Sequence, residues 1–373
     1  MKADQAATLA VHPAWIEIDL ARLERNLGRI RACAPGMAVI ASVKANGYGH
    51  GIVPIGRRLA GAGCDMLATG AFHEAVALRE AGVELPILMF GHCLPEAYPH
   101  LLRHRLIPTL HAPGQAEALE RAAGEGVAEA FVKVDAGLGR LGFALDRAEA
   151  AIAAMSELGH VRIVGLYTHL PFAAGGDRPA TLARIGRFAD LVDRLAGRGI
   201  TFRHVQGEAS AGVVFGADSR LNAVCPGHAL YGLEPGTEPW VANAGLERVL
   251  RAVRTRLIQA GDAGAGGGGS YGSAAAGRRG VIPFGQAQGL ASPGVPSGQH
   301  VLVGGRRAAV LGISFEHAVI DLRGTDASAG EVVTLMGEDG DAAITLEEFA
   351  HWRGGSVKDA LTALSGRLAA IEV

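Results

Sequence analysis

From about residue 14 to residue 245 the chain alternates short β-branched runs with helix-length amphipathic segments. That rhythm belongs to parallel strands joined by crossover helices, and it restricts the fold more than any other feature. Ala38 to Val43, Ile87 to Phe90, Ala130 to Val134, Ile163 to Tyr167 and Phe202 to Val205 read as strands. Between them Leu23, Leu27 and Ile30 fall at i, i+4, i+7, and Ile185, Phe188, Leu191, Val192 and Leu195 continue the spacing, so each segment carries one buried stripe. Gly124 after Gln115 to Ala123, and Gly159 after Ala148 to Leu158, mark helix ends. Polar residues cluster just past the strands: Lys44, Asp135, Thr168 and His169. In a (β/α)8 barrel that edge holds the active site. A doubly wound open sheet gives the same local pattern, and periodicity alone does not separate the two.

Near residue 246 the rhythm changes. Asp262 to Gly277 is rich in glycine, alanine and serine, as flexible loops are. Gly264 to Gly269 formally spells G-x-G-x-x-G, but no strand precedes it and no helix follows, so it does not read as a dinucleotide site. Beyond it Val301 to Val303, Ala308 to Ile313, Ala318 to Leu322 and Val332 to Met336 read as strands, and Thr345 with Glu348 forms a capping box for a short helix. The expected organisation is therefore one domain over 14–245 and a mainly-β domain over 246–373, with residues 1–13 packed on the latter. A chain of 373 residues is long enough for both.

No apolar run reaches the roughly 18 residues that span a bilayer. A net charge of -2 provides no basic field for nucleic acid, which leaves small molecules as the expected partners. Met1 to Pro13 lacks the apolar core of a secretion signal, so the expected location is the cytoplasm. Cys33, Cys64, Cys93 and Cys225 show no Cys-x-x-Cys spacing, so neither a metal site nor a disulfide framework is expected; the first three read as buried small hydrophobes.

Val43-Lys44-Ala45-Asn46-Gly47-Tyr48-Gly49-His50-Gly51 puts a lone lysine at the end of the apolar stretch Met37 to Val43. Such a lysine is either a surface group closing a buried strand or an amine delivered to a site. A free aminium titrates near about 10.4 and is a poor nucleophile, whereas one desolvated beside other cations can form a Schiff base. Glycines at 47, 49 and 51 would let a flat phosphorylated ligand approach the backbone. Lys133 to Phe143 is a strand followed by a glycine-spaced turn presenting Arg140, which either braces its loop or serves a ligand. Gly165-Leu166-Tyr167-Thr168-His169, Ala209-Ser210-Ala211-Gly212 and Pro226-Gly227-His228-Ala229-Leu230-Tyr231-Gly232 follow, and Trp15 to Leu20 precedes them. In this order, and over nearly the whole first domain, these segments resemble the alanine racemase family of pyridoxal-phosphate enzymes.

The resemblance implies an α/β fold, a TIM-type (β/α)8 barrel with a smaller C-terminal β domain. It implies pyridoxal 5'-phosphate carried on Lys44, with Tyr48 at its phosphate, His169 behind its ring, and Ser210, Gly227 and His228 cradling the phosphate. Arg140 would reach toward the cofactor and a substrate carboxylate, braced by Lys133, a position often carbamylated in the family. A head-to-tail homodimer, each site borrowing second-domain residues from the other chain, is implied as well.

The second domain departs from the family's pattern. A Gly-Tyr-Ala-Asp-Gly segment supplies the family's catalytic tyrosine; this chain has Pro283-Phe284-Gly285-Gln286-Ala287-Gln288-Gly289, and the amide of Gln286 has no usable proton near neutral pH. Cys225 stands where the family's arginine hydrogen-bonds the ring nitrogen, so the electron sink is tuned differently. Phe315-Glu316-His317 replaces Met-Asp-Gln, and is either a buried aromatic between two surface polar residues or the source of a replacement acid/base, Glu316 or His317. Lys358 aligns with a phosphate-binding tyrosine and keeps a charged donor there.

Racemisation needs a proton carrier on each face of the α carbon, and this chain retains Lys44 alone. The expected reaction is one-base, aldol-type chemistry on glycine, alanine or a β-hydroxy amino acid, with an aldehyde as second substrate. The alternative is an amino-acid racemase in which His317, Tyr271 or another group replaces the phenol. A cofactor-holding protein of low activity is the third reading, and Arg140 argues against it, since storage needs no group for a substrate carboxylate.

Overall fold

A computed structural model of the protein describes residues 9, 11–91, 93–170, 178–215, 220–234, 243–263, 277–291, 298–364 and 366–373. Tyr271 and the Gly264 to Gly269 stretch lie outside the described residues, as do residues 1–8 and 10 of the N-terminal segment. The chain divides into two compact units, one of Ala21–Gly47 with Ile52–Arg248, the other of Met1–Leu20, Tyr48–Gly51 and Val249–Val373.

The first strand, β1 (Ala14–Ile18), belongs to the second unit. The first unit is built on β2 (Ala38–Ser42), β3 (Met66–Thr69), β4 (Ile87–Met89), β5 (Leu106–Ile107), β6 (Thr109–Leu110), β7 (Ala128–Asp135), β8 (Phe143–Ala144), β9 (Val161–Tyr167), β10 (His204–Glu208) and β11 (Ala223–Val224). Their hydrogen-bonding order is β5-β4-β3-β2-β11-β10-β9-β7-β6, with β8 on β7, and β2 to β7 and β9 to β11 pair in parallel. β5 and β6 are halves of one stretch interrupted at Pro108, which has no N–H for the ladder. The first half pairs with β4 and the second with β7, so the two ends of the sheet meet in a single stretch of chain and the sheet forms a (β/α)8-type barrel.

The helices fall where the periodicity puts them. Leu20–Cys33 buries Leu23, Leu27 and Ile30, and Arg178–Gly197 buries Ile185, Phe188, Leu191 and Leu195. Gln115–Ala123 stops at Gly124, whose φ of 60° suits glycine. Cys64 is buried as expected, but Cys33 is exposed, since it ends its helix off the buried stripe.

Ile40, Leu88, Phe131, Val164 and Tyr167 fill the barrel interior. Phe131 on β7 fits there because Gly165 stands opposite it on β9: a Cβ at Gly165 would lie 2.1 Å from the ring. His204 on β10 stacks on Phe131, centroids 5.9 Å apart and planes 9° from parallel.

The second unit adds β12 (Leu250–Arg256), β13 (Gln259–Ala263), β14 (Gly277–Ile282), β15 (His300–Val303), β16 (Arg306–Ile313), β17 (Ala318–Asp321), β18 (Val332–Asp339), β19 (Ala342–Ile344) and β20 (Ala369–Glu372). Their order is β13-β14-β17-β16-β15-β18-β12-β1-β20, with β19 on β18. β1 runs antiparallel to β12 and parallel to β20, and Glu17 bonds Arg254 of β12 at 2.8 Å. Residues 14–20 therefore belong to the β unit, not to the barrel in which the sequence placed them. The Thr345 hydroxyl accepts the Glu348 N–H at 3.0 Å and opens the helix Leu346–Trp352. Among the described residues no helix is long and apolar enough to cross a membrane.

Candidate active site

β2 ends at Ser42, and Lys44, an exposed residue, opens a single turn, Lys44–Tyr48. The turn is wound left-handed, with φ, ψ of 54°, 53° at Ala45, 54°, 49° at Asn46 and 62°, 43° at Gly47, and φ of 53° at Tyr48. Non-glycine residues in this region cost about 1–2 kcal/mol each, so the surroundings must hold them. Glu74 supplies the hold. It is 7% exposed, and its carboxylate accepts the Asn46 N–H at 2.6 Å and the Thr69 hydroxyl at the end of β3. Asn46 Oδ1 in turn accepts the Ile52 N–H at 2.9 Å.

Sequence reasoning passed over Glu74; a lone acid one turn into a helix that follows a strand was the available signal. Glu74→Ala leaves buried donors unmatched at about 1–3 kcal/mol each. It is expected to lower the melting temperature and the fraction of protein carrying cofactor, and Glu74→Gln, which keeps one acceptor, should do so by less. The glycines have a different use from the one expected. A Cβ at Gly47 would lie 3.2 Å from Ile55, and one at Gly49 2.5 Å from the Leu361 carbonyl oxygen, so both make room for protein.

At the end of β7, Asp135 Oδ1 accepts the N–H groups of Gly137, Leu138 and Gly139 at 2.9, 2.8 and 3.2 Å and curls the loop that presents Arg140. Desolvation opposes ionisation of this carboxyl, but the three N–H groups prevail and lower its pKa. Gly142 closes the loop, since a Cβ there would meet the Asp135 nitrogen at 2.8 Å. Lys133 is buried, and its ammonium donates to the Arg140 carbonyl oxygen at 2.8 Å, which braces the backbone rather than the guanidinium. Burial, then the Arg140 charge, lower its pKa.

Thr168 and His169 follow β9. The His169 imidazole is pushed down to about 4 by desolvation and by the Lys44, Arg140 and Lys133 cations. As the residue is exposed at the rim, the cations are the firmer cause. Between the ordinary histidine value near 6.5 and about 4, the unfolded chain binds the proton that the folded chain refuses. Stability is then fully present above that window and declines as pH falls through it. Urea midpoints at pH 7 and pH 5 are expected to differ by less in His169→Gln than in the parent.

After β10 comes Ser210, whose hydroxyl oxygen accepts the Gly227 and Ala229 N–H groups at 3.0 and 3.1 Å. It thereby ties the loop after β11 to the start of the helix Ser210–Phe215, with its own proton left to donate. His228 opens a short 3-10 turn, His228–Tyr231. Cys225, half-buried against the barrel interior, has its thiol pushed up to about 12 by burial, partly offset by Lys44. Lys44, Arg140, His169, Ser210, Cys225, Gly227 and His228 therefore share the edge at the strands' C-terminal ends.

Tyr48, Gln286, Glu316, His317 and Lys358 belong to the other unit. There the Gln286 and Ala287 N–H groups donate to the Ser314 and Phe315 carbonyls at 3.1 and 2.8 Å, so the segment at Gln286 and the turn Phe315-Glu316-His317 form one rim. Phe315 is 66% exposed, which overturns the reading of a buried aromatic: Ser314 and His317 close a tight turn between β16 and β17 that directs it outward. Lys358 is exposed on the helix Val357–Leu364.

Two family models divide the chain as the fold does. The alanine racemase N-terminal domain matches residues 18–235 and the alanine racemase C-terminal domain residues 250–371. The chain belongs to the alanine racemase family. An alanine racemase of Halothermothrix orenii is 32% identical over 349 residues, covering 91% of each chain. Among solved structures, alanine racemase of Clostridium difficile 630 superposes with a TM-score of 0.85 at 26% identity, over 95% of this chain and 93% of that one. Alanine racemase from Streptomyces coelicolor A3(2) gives 0.82 at 28% identity, over 98% and 99%.

Membership of the alanine racemase family makes the chain an enzyme and pyridoxal 5'-phosphate its cofactor. The barrel edge fits that group. Among the described residues the Ser42 and Thr168 hydroxyls are buried there without a hydrogen-bond partner, as groups awaiting a polar ligand would be. Lys44, Arg140 and Lys133 supply positive charge for an anion, and the Ser210 cradle supplies a donor. Relatives that bear the name alanine racemase along their whole length lend no support to the aldol-type reaction expected from the missing phenol.

Proposed function

We propose that this enzyme removes and returns the α proton of a small amino acid, alanine foremost, and so interconverts its enantiomers. The carrying observation is that Lys44, Arg140 and His169 stand close enough on one barrel edge for both cations to depress the imidazole. Lys44 would hold the cofactor, and its amine would move the proton on one face of the α carbon. Arg140 takes the substrate carboxylate in a charge-assisted pair. His169, neutral at working pH, stands behind the ring and adds no charge there. Ser210, Gly227 and His228 would hold the phosphate, with Tyr48 and Lys358 as the further donors the family pattern implies, and Cys225 would stand toward the ring nitrogen. Bound in this way, pyridoxal phosphate withdraws electrons from the α carbon and makes its proton labile.

For the opposite face the enzyme works as a homodimer, a second copy bringing its rim of Gln286, Glu316 and His317. An exposed Phe315 on that rim suits burial against another chain. Gln286 positions substrate by hydrogen bonding, and the His317 imidazole delivers the proton.

L-alanine incubated with the holoenzyme in D2O tests the reading, followed by NMR of the α position and by chiral chromatography. Deuterated D-alanine is expected, falling sharply in His317→Ala. A β-hydroxy amino acid from glycine and an aldehyde, with no exchange into alanine, would replace racemisation with aldol chemistry. Bound cofactor without turnover of any amino acid would leave a holding protein.

A further inference from the structure

Ser42 closes β2, two residues before Lys44, and is 2% exposed. Its backbone is tied on both sides: the N–H donates to the Pro226 carbonyl at 3.0 Å, and its carbonyl accepts the Tyr231 hydroxyl at 3.3 Å. Its side chain is not. Among the described residues the Ser42 hydroxyl is buried with no hydrogen-bond partner, a state that costs stability unless a ligand answers it.

The direction of that side chain follows from the ladder. β2 pairs with β3 in unbroken register, Ile40 with Met66, Ala41 with Leu67 and Ser42 with Ala68. Ile40, Met66 and Ala68 pack in the barrel interior. Leu67 faces the helices instead: a Cβ at Gly56, in the helix Ile52–Gly61, would lie 3.5 Å from its Cδ1. Residues opposite each other on parallel strands share a face, so Ser42 points inward with Ala68.

On its other side β2 pairs with β11, Ala38 opposite Ala223, and both pack in the same interior. Cys225, two residues beyond Ala223, packs against that interior too. Ser42 and Cys225 therefore face inward from adjacent strands, at the edge that carries Lys44. Of the two, the hydroxyl is the better donor, since a thiol bonds weakly. The inward Tyr167 hydroxyl already has the Thr109 hydroxyl at 3.3 Å. Thr168, the other orphaned hydroxyl at this edge, follows β9, and β10 and β11 stand between it and β2.

We propose that the Ser42 hydroxyl donates a hydrogen bond to the ring nitrogen of the cofactor, beside a thiol that is a weak donor. The inference rests on the cofactor reading of this site, with Cys225 toward that nitrogen. No bond is broken: the hydroxyl keeps its proton and polarises the ring without charging it. Ser42 is thus assigned to recognition of the ring, with no contact to substrate required.

Pyridoxal phosphate and its deaza analogue, in which a C–H replaces the ring nitrogen, test this by binding alone, through absorbance titration of stripped protein. The parent should hold pyridoxal phosphate about 3- to 10-fold more tightly than the analogue, and Ser42→Ala should abolish that preference by weakening pyridoxal phosphate alone. The same substitution removes an unmatched hydroxyl at almost constant volume, so the stripped variant should melt no lower than the stripped parent. If Ser42→Ala does not fold, Ser42→Cys, which keeps the shape with a weaker donor, should reduce the preference in the same direction. A parent without the preference, or a preference that survives substitution, overturns the proposal. An equal loss of affinity for both ligands does so too, since it would put the hydroxyl on an atom that they share. Protein that binds neither ligand fails earlier and overturns the cofactor reading itself, which keeps the two failures apart.

Discussion

Lys44→Ala protein is expected to be colourless after incubation with pyridoxal phosphate and to exchange the α proton of alanine about 10²- to 10⁴-fold more slowly than the parent. The lysine is exposed at the start of its turn and contributes little packing, so the fold should survive within about 0.5 kcal/mol. The charge it removes leaves two further marks. Lys44 is the foremost cation depressing His169, so the imidazole should titrate at higher pH in the apo variant, and the Cys225 thiol, which Lys44 pulls down, should rise further. An absorbing, borohydride-sensitive adduct that persists in Lys44→Ala would assign the covalent attachment to another amine and dismantle the proposed site.

Phe131→Ala is expected to lower the unfolding free energy by about 3–5 kcal/mol, read from urea titration, because it empties the middle of a barrel whose walls cannot collapse. Gly165→Ala presses a methyl into the same ring and should cost about 1–3 kcal/mol or more. The two positions are not independent. In Phe131→Leu the space opposite Gly165 opens, and adding Gly165→Ala there should cost less than in the parent, a coupling that a double-mutant cycle reads directly. Additive losses would mean that Gly165 is kept for its backbone conformation and not for the close approach.

The barrel was legible because its helices and central strands are long enough to carry a period: Leu23, Leu27 and Ile30 mark one helix, and Ile163 to Tyr167 one strand. β11, two residues long, and the pair split by Pro108 carry no period at all, and only their partners reveal them. β1 misled for a related reason. AWIEI looks like any barrel strand, and nothing local says that its neighbours are β12 and β20, hundreds of residues later.

The candidate site was legible through the family's segments, which single out Lys44, Arg140, His169 and Ser210, each just past the end of a strand. It was opaque where a residue acts by holding others. Glu74 grips a left-handed turn through one backbone N–H and one hydroxyl, a relation with no spacing that a linear reading detects.

β2 and β11 meet through two register pairs, Ala38 with Ala223 and Val39 with Val224. The Tyr231 hydroxyl, donating to the Ser42 carbonyl at 3.3 Å, spans the same join from 189 residues away. A join so brief between such distant parts of the chain is entropically costly to form and offers little ladder to keep it shut. Lys44 lies just beyond one side of it and the Cys225–Gly227 loop just beyond the other. A molecule held by both works as a clasp on the ring, so cofactor-loaded protein should resist urea and protease better than stripped protein, by a margin that grows with the logarithm of cofactor concentration.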